Sequence, residues 1–528
     1  MLKMVDGTGI IGVDMVCPLG GAVSPPQPPN YDKVEMEGVG SLMLPNSLKA
    51  PLERLELIGN SVQGENPAPD NPQEIKSVGR KSNNLLIENI SVFTVQDNIA
   101  YIPLPEGHET KLYTMLIQKK PGENDDVGFT CGFYDKSNMA ATYSTPCLKD
   151  GNLVAENGIV NSKVGVNHFI CFSPADSKFF DIYNVMYVEG KETALDYEPY
   201  GYLLDVKVTG KNLLSNKPTD WMIGKATSWG AVPQTPVSYG TNVKNAIATI
   251  NVKSSTNYSF INKDTNKLWV YRIIEQDENG LGYVNHPFYK DESLNYKKYN
   301  FSTRSNTSNI VFEIKKVDGT ELLSSDIESI KIMLVEGEVN DPTPYEPYTE
   351  QTLILTSDRP ITKWDKLVEQ GGEYGWLYQS VIDSNVKTSR TDLFPNGFSL
   401  FKDFDNGAHV YKVTNIKKAI GFQTSLCEQF KNKDGSYSTG DLFCYSDQPS
   451  MQMQYFVTDI PTLEEFKTWM ETNPLTMVYK TTESHFIPLP ESEQTQLRNL
   501  HSYIGTTNIM VDSGEIPCGI KLTYRKEK

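Results

Sequence analysis

The sequence predicts a mainly β protein, with tandem jelly-roll-like sandwiches and a small α+β C-terminal module. Three observations carry that expectation. The 528 residues include 28 tyrosines, 21 phenylalanines and 31 prolines, a mixture that favours short strands joined by turns. Apolar and polar residues alternate in many short runs, as they do along half-buried strands. One block of the chain recurs at a distance.

Residues 1–45 read as an attachment arm. They are glycine-rich, then enter a proline-rich neck, Ser24-Pro25-Pro26-Gln27-Pro28-Pro29, which favours stiff polyproline geometry. Residues 46–82 read as a short β connector. Leu55 and Leu57 alternate with polar neighbours there, a proline-rich loop follows at 67–72, and 74–78 is a second short strand.

The recurring block divides the next 270 or so residues into a first sandwich, 83–208, and a second, 209–350. Val185-Met186-Tyr187-Val188-Glu189-Gly190 reappears as Ile332-Met333-Leu334-Val335-Glu336-Gly337. Each run is followed by a closing motif, Tyr197-Glu198-Pro199-Tyr200 and Tyr345-Glu346-Pro347-Tyr348. Asn84-Leu85-Leu86 and Asn212-Leu213-Leu214 open the two copies. Strand-like runs at 127–134 and 168–172 in the first copy, and at 246–252, 267–273 and 309–314 in the second, lie between turn residues, the spacing of a jelly roll or similar sandwich. The Ile332-Met333-Leu334-Val335 run is dense enough for a central strand buried on both faces. Proline in the closing motif ends the ladder, because it has no N–H to donate.

Residues 351–459 read as a β-rich domain in which Gly371-Gly372 turns into an aromatic strand through Trp376 and Tyr378. Residues 460–528 read as the α+β module. Its first helix, 462–473, has a Thr462/Glu465 capping box, Leu463, Phe466 and Trp469 on one face, and Pro474 as its stop. A strand at 475–479 follows, then a helix at about 491–503 with Leu497 and Leu500 inward, then strands at 506–511 and 519–524.

Charge and chemistry narrow the function classes. Forty-nine Lys and Arg against 66 Asp and Glu leave a net charge of −17, which repels phosphate backbones and argues against a nucleic-acid partner. The seven cysteines, at 17, 131, 147, 171, 427, 444 and 518, have no C-x-x-C spacing. Scattered reduced thiols are expected, with one bridge such as Cys131 to Cys147 left open. The apolar start from 10 to 16 is broken by Asp14, so neither a signal peptide nor membrane insertion is expected.

Six isolated histidines, with neither a Gly-x-Ser-x-Gly elbow nor a phosphate loop, point to a chain that is not an enzyme. No catalytic residue, metal ligand or cofactor is assigned. Calcium is considered at Asp403-Phe404-Asp405-Asn406-Gly407 and at 432–436. Neither fits a full calcium loop, and ordinary Asx turns are the competing reading. Sugars need flat aromatics beside hydrogen-bonding groups. Trp221, Trp229 and Tyr239, in a Gly- and Ser-rich stretch, are the carbohydrate-contact candidates, against a plain packing role. Trp269, Trp364, Trp376 and Trp469 are assigned to cores and Tyr271 to the surface.

Four pieces resemble modular minor tail, baseplate and tail-fibre proteins of phages and prophages of Gram-positive bacteria. They are Ala50-Pro51-Leu52-Glu53-Arg54-Leu55 with 66–72, the Gly210-to-Leu214 opening with its 334–348 closing, Trp364-to-Trp376, and the C-terminal unit from Phe466 through Leu497 to Met510. Together they cover most of 50–528, in the order that family uses. The resemblance implies a virion protein that assembles as an oligomer, expected to be a homotrimer formed in the host cytoplasm. Residues 1–45 lie outside the resemblance, and docking to other virion proteins is expected of them from their arm-like composition. The resemblance also implies sugar-binding-like sandwiches that meet host cell-surface glycan. Tail tip, neck and capsid stay open as positions. A purely architectural head fibre, collar or capsid-decorating spike is the alternative, followed by a wall-degrading enzyme.

Overall fold

The structure is a computed structural model that describes residues 31–86, 197–223, 244–264, 269–277, 298–339, 344–394, 396–403, 407–414, 425–432 and 451–527, and the backbone of further strands within 5–189, at 282–286 and at 441–448. It is mainly β, and one 12-stranded sheet organises it. In chain order these strands are β1 (Tyr31–Val39), β2 (Ser41–Ser47), β3 (Glu53–Ile58), β4 (Arg80–Lys81), β5 (Tyr202–Thr209) and β6 (Glu350–Ser357). They continue as β7 (Lys366–Gln370), β8 (Glu373–Val386), β9 (Ser425–Cys427), β10 (Leu475–Pro488), β11 (Gly505–Asp512) and β12 (Gly519–Glu527). The sheet order is β6-β5-β11-β2-β12-β3-β7-β8-β10-β9, with β1 also on β12 and β4 also on β5.

The two ends of the described chain therefore meet. β1 pairs with β12 from Tyr31↔Glu527 to Val39↔Gly519. The sheet also curls on itself, because the Trp376 indole of β8 donates to the Thr356 carbonyl of β6 at 2.7 Å. Leu44, Leu57, Val206, Leu355, Leu367 and Ile520, from six different strands, share one core. Each fully buried aliphatic side chain there contributes about 1.5–3 kcal/mol. At the β7–β8 hairpin, Gly371 and Gly372 take φ of 64° and 88°, as a two-residue primed turn requires.

The sequence boundaries do not divide the sheets. Residues 31–45, expected in the arm, are two of the sheet's strands. Residues 46–82, 202–208 and parts of both C-terminal regions supply others. Pairings such as β1–β12 join residues hundreds of positions apart, so they leave no local mark in the sequence.

The remaining segments are inserted between paired strands of this sheet. The first leaves at Lys81 and returns at Tyr202, which are register partners. The second leaves at Thr209 and returns at Glu350, again partners. The third leaves at Val386 and returns at Leu475, partners as well.

The first two insertions have the same topology. Among the described residues each has eight strands: Val95–Gln96 to Ile182–Glu189 in the first, Met222–Ile223 to Ile332–Glu336 in the second. Counted along the chain within each copy, one sheet runs fifth-fourth-seventh-second-first and the other sixth-third-eighth. This is jelly-roll order, and it matches strand for strand between the copies. The eighth strand is a correction. Ile332–Glu336 is buried through Val335 as expected, yet it lies at the edge of its three-stranded sheet, paired with Asn257–Asn262. Its other edge is covered by the opening segment, since the Leu213 amide donates to the Leu334 carbonyl at 2.8 Å.

The third insertion packs a five-stranded sheet against helix α1 (Leu463–Thr472). The Thr462 side chain accepts from the Glu465 amide, the expected cap. Phe466 and Met470 are buried, with Leu463 and Trp469 packed beside them. Helix α2 (Glu491–Asn499) ends earlier than expected. The chain turns extended at Leu500, whose carbonyl accepts from the Leu52 amide, and the Ser502 amide donates to Ala50. Pairing to the segment before β3 removes those residues from the helix.

Among the aromatics, Trp269 and Trp376 are core residues. Trp364 is half-buried, with the Lys363 ammonium 4.6 Å from its ring. Tyr271 turns inward onto Phe260 and Phe312 instead of lying on the surface.

Candidate functional site

The closing motifs act as clasps where the jelly rolls leave and rejoin the central sheet. In the first copy the Asn84 side-chain amide donates to the Glu198 carbonyl at 2.9 Å, and its oxygen accepts from the Leu86 amide at 3.0 Å. The Glu198 amide points at the Met186 sulfur, 3.3 Å away. In the second, Asn212 donates to the Glu346 carbonyl at 3.3 Å and accepts from the Leu214 amide at 3.0 Å, while the Glu346 amide faces the Met333 sulfur at 3.4 Å. Asn, Met and Glu therefore keep their roles in both copies. Asparagine suits the position because one side chain supplies donor and acceptor together.

Around the first clasp lies a cleft of about 1100 Å³. Its floor is the outward face of the β5–β6 pair, with Asp205 opposite Ile354 and Lys207 opposite Thr352. One wall is the start of α2 and the end of β10, bringing Pro488, Ser492, Glu493 and Gln496. The other wall is the closing motif, bringing Tyr197, Pro199 and Tyr200. Gly201 makes the tight approach possible. Its φ is 115°, and a Cβ there would meet the Ser357 carbonyl oxygen at 2.4 Å.

The cleft is electrostatically uneven. Glu493, 7% exposed, accepts from the Thr356 amide at 3.1 Å and the Thr356 hydroxyl at 2.6 Å. Burial pushes its carboxyl up to about 7 against those two bonds. Burial also raises the Asp205 carboxyl, opposed by the hydrogen bond from Arg80 at 3.1 Å. Arg80 reaches Glu198 as well, at 2.7 Å. At the far end of the β5–β6 ladder, burial would raise Glu350. Hydrogen bonds from Lys217, the Tyr348 hydroxyl and Lys207 instead hold it down to about 2.

A second groove, about 560 Å³, separates the central sheet at 39–42 and 508–514 from the second jelly roll at 251–254 and 307–309. Asp365, 1% exposed, is a structural lock. It accepts from Arg359 and Thr362 in the connection between β6 and β7, and from Ser380 and the Gln379 amide of β8.

The structure brings together the closing-motif residues Tyr197, Pro199 and Tyr200 with central-sheet residues that sequence reasoning did not single out. Of the carbohydrate candidates, Trp221 alone lies within the described residues. Trp221 is 4% exposed, its indole N–H donates to the Ser215 carbonyl at 2.9 Å, and its ring packs edge-on to Phe312. A ring buried in the core offers no face to a sugar, so the packing reading is correct for Trp221. Trp229 and Tyr239 lie outside the described residues. Of the calcium candidates, Asp403 bonds His409 at 2.7 Å, 404–406 and 433–436 lie outside the described residues, and no group of three metal-ligating side chains occurs among the described ones. Glu493 carried one weak signal: an acid in the first turn of α2, four residues before the inward Leu497 and so on the same face of the helix.

The fold defines a mainly β protein carrying duplicated jelly rolls. No family model matches the chain, and no curated protein matches it. Similar solved structures include the VP2 subviral particle of infectious bursal disease virus, at 6% identity over 95% of this chain and 83% of that one, with a TM-score of 0.13. The T13 particle of the same virus aligns at 6% identity over 95% and 79%, TM-score 0.11. Arabinofuranosyltransferase AftD from Mycobacteria aligns at 8% over 94% and 36%, TM-score 0.14. TM-scores this low carry no argument about the role of this chain.

Proposed function

We propose that the chain is a non-enzymatic structural component of a bacteriophage virion, in a tail tip, baseplate or fibre, that displays jelly-roll modules toward host-surface carbohydrate. The observation that supports it best is the repeated architecture. Two jelly rolls of identical strand order are held by the same Asn–Glu clasp on one shared sheet. Such a scaffold presents repeated weak binding units from a fixed base, which suits multivalent attachment. In this reading the chain assembles as a homotrimer and needs no cofactor. Residues 1–30, before β1, dock on neighbouring virion proteins. Immunogold labelling of phage particles with an antibody to the full chain tests it. Label at the tail end is expected, and label confined to the head or collar would favour an architectural role without a receptor. Particles that take no label would overturn the virion assignment.

A further inference from the structure

We infer that the cleft between the first jelly roll and the central sheet, with Tyr200 at its rim, is a binding site for a neutral saccharide. The inference rests on the attachment reading above and moves the contact from the face of a jelly roll to its root.

The two copies of the closing motif carry the argument. Asn, Met and Glu do the same structural work in each, so differences at the other positions report something besides holding the module. The last tyrosine differs most. Tyr348 is 7% exposed and its hydroxyl bonds Glu350. Tyr200, at the equivalent position, is 43% exposed and borders the 1100 Å³ cleft. The clasp therefore closes without burying this ring, and in the first copy the ring is left facing a concavity. Small-ligand sites span about 300–1,000 Å³, so the cleft has room for an oligosaccharide.

Its chemistry suits a sugar. A pyranose has apolar C–H faces and a rim of hydroxyls. Tyr200 and Pro199 offer flat apolar surface on one side, and Ile354 and Pro488 on the floor and far wall. Gln496 and Ser492, both exposed, offer donors and acceptors beside them. Charge selects among sugars. Exposed Asp358 lines the cleft with Asp205, which is tied to Arg80 at 3.1 Å, and with Glu493, whose burial favours its neutral form, while the lining cation Lys207 pairs with Glu350 at 3.0 Å. Phosphate- or carboxylate-bearing polymers would meet like charge there, so a neutral saccharide is the fitting class.

The test uses the full chain, sedimented with purified host cell wall and, separately, with neutral oligosaccharides released from that wall. Tyr200→Ala and Gln496→Ala are compared with Phe401→Ala, which removes an exposed aromatic in the third insertion. Loss of one stacked ring should weaken binding about tenfold, with melting temperature unchanged because Tyr200 is exposed. Gln496→Ala should weaken it by less, and Phe401→Ala should have no effect. If the unaltered chain binds wall and both cleft variants bind equally well, the cleft is not the site and the attachment reading stands. Binding lost only in Phe401→Ala would likewise overturn the cleft. If the unaltered chain binds no wall fraction, the attachment reading fails and the cleft inference fails with it.

Discussion

The two jelly rolls hang from opposite ends of one strand. The first joins β5 at Tyr202, where β4 contributes a two-residue pairing and Arg80 ties Glu198 to Asp205. The second joins β5 at Thr209, at the end of its eight-pair ladder with β6, where Lys207, Lys217 and Tyr348 converge on Glu350. The backbone clasp is the same in both, and the charges around it are not. The repeated motif thus specifies how a module is attached, and the sheet position specifies what surrounds the attachment. Predictions that act on one root and spare the other test that separation.

The largest effect is expected from the clasp asparagines. Asn212 is buried and makes four hydrogen bonds, to Ile332, Glu346, Leu214 and Leu334. At about 1 kcal/mol each, Asn212→Ala should destabilise the second jelly roll by about 4 kcal/mol. Asn84→Ala should do the same to the first root, by at least about 2 kcal/mol from the bonds to Glu198 and Leu86. Hydrogen exchange by mass spectrometry should show lost protection within 245–336 for Asn212→Ala, with 31–58 and 505–527 still protected. Equal loss across the central strands would mean that the module and sheet fold as one unit.

That nesting explains what could be read in advance. The mainly β class, the duplication and the α1 cap were legible, because alternation, repeated strings and a Thr–x–x–Glu box are local patterns. The strands at 55–57 and 520–524 were legible for the same reason, although their mutual pairing was not. Val206 and Val208 belong to β5, but their sequence neighbourhood is the first jelly roll, and nothing local says that their partners are β6 and β11. For Trp221 the Gly- and Ser-rich flank keeps a sugar contact and a packing role both open, and the Ser215 carbonyl that takes its N–H, which decides for packing, is identifiable only in three dimensions. The cleft was missed entirely, since its walls are more than 280 residues apart in sequence at Tyr200 and Glu493.

The carboxylates at the two ends of the β5–β6 ladder should respond to pH in opposite senses. Glu493, beside the first root, is pushed up to about 7 from 4.5. The folded state then holds a proton that the unfolded state has released, so stability is greatest below pH 4.5 and falls as pH rises to about 7. Glu493→Gln should raise the melting temperature at pH 8, by up to about 3 kcal/mol in stability, and change little at pH 4. Glu350, at the second root, is held down to about 2. Its contribution is full above pH 4.5 and is lost as pH falls toward 2, so Glu350→Gln should lower stability at pH 7 and match the unaltered chain near pH 2. Calorimetry from pH 2 to 8 reads both. Parallel pH profiles for the two variants would remove the distinction between the roots.

The smallest effect isolates the closing tyrosines. Tyr348→Phe keeps the buried ring and removes the hydroxyl bonded to Glu350, so it should cost about 1 kcal/mol. It should also let the Glu350 carboxyl rise, since one of the bonds holding it down is gone. Tyr200→Phe removes a hydroxyl from an exposed ring and should leave the melting temperature where it was. Both substitutions delete one oxygen from the same position of the same motif. A measurable difference between them in thermal melts would therefore come from the root and not from the repeat. Equal losses would mean that the last tyrosine belongs to the clasp in both copies, and that the exposure of Tyr200 reflects only where the first jelly roll leaves the sheet.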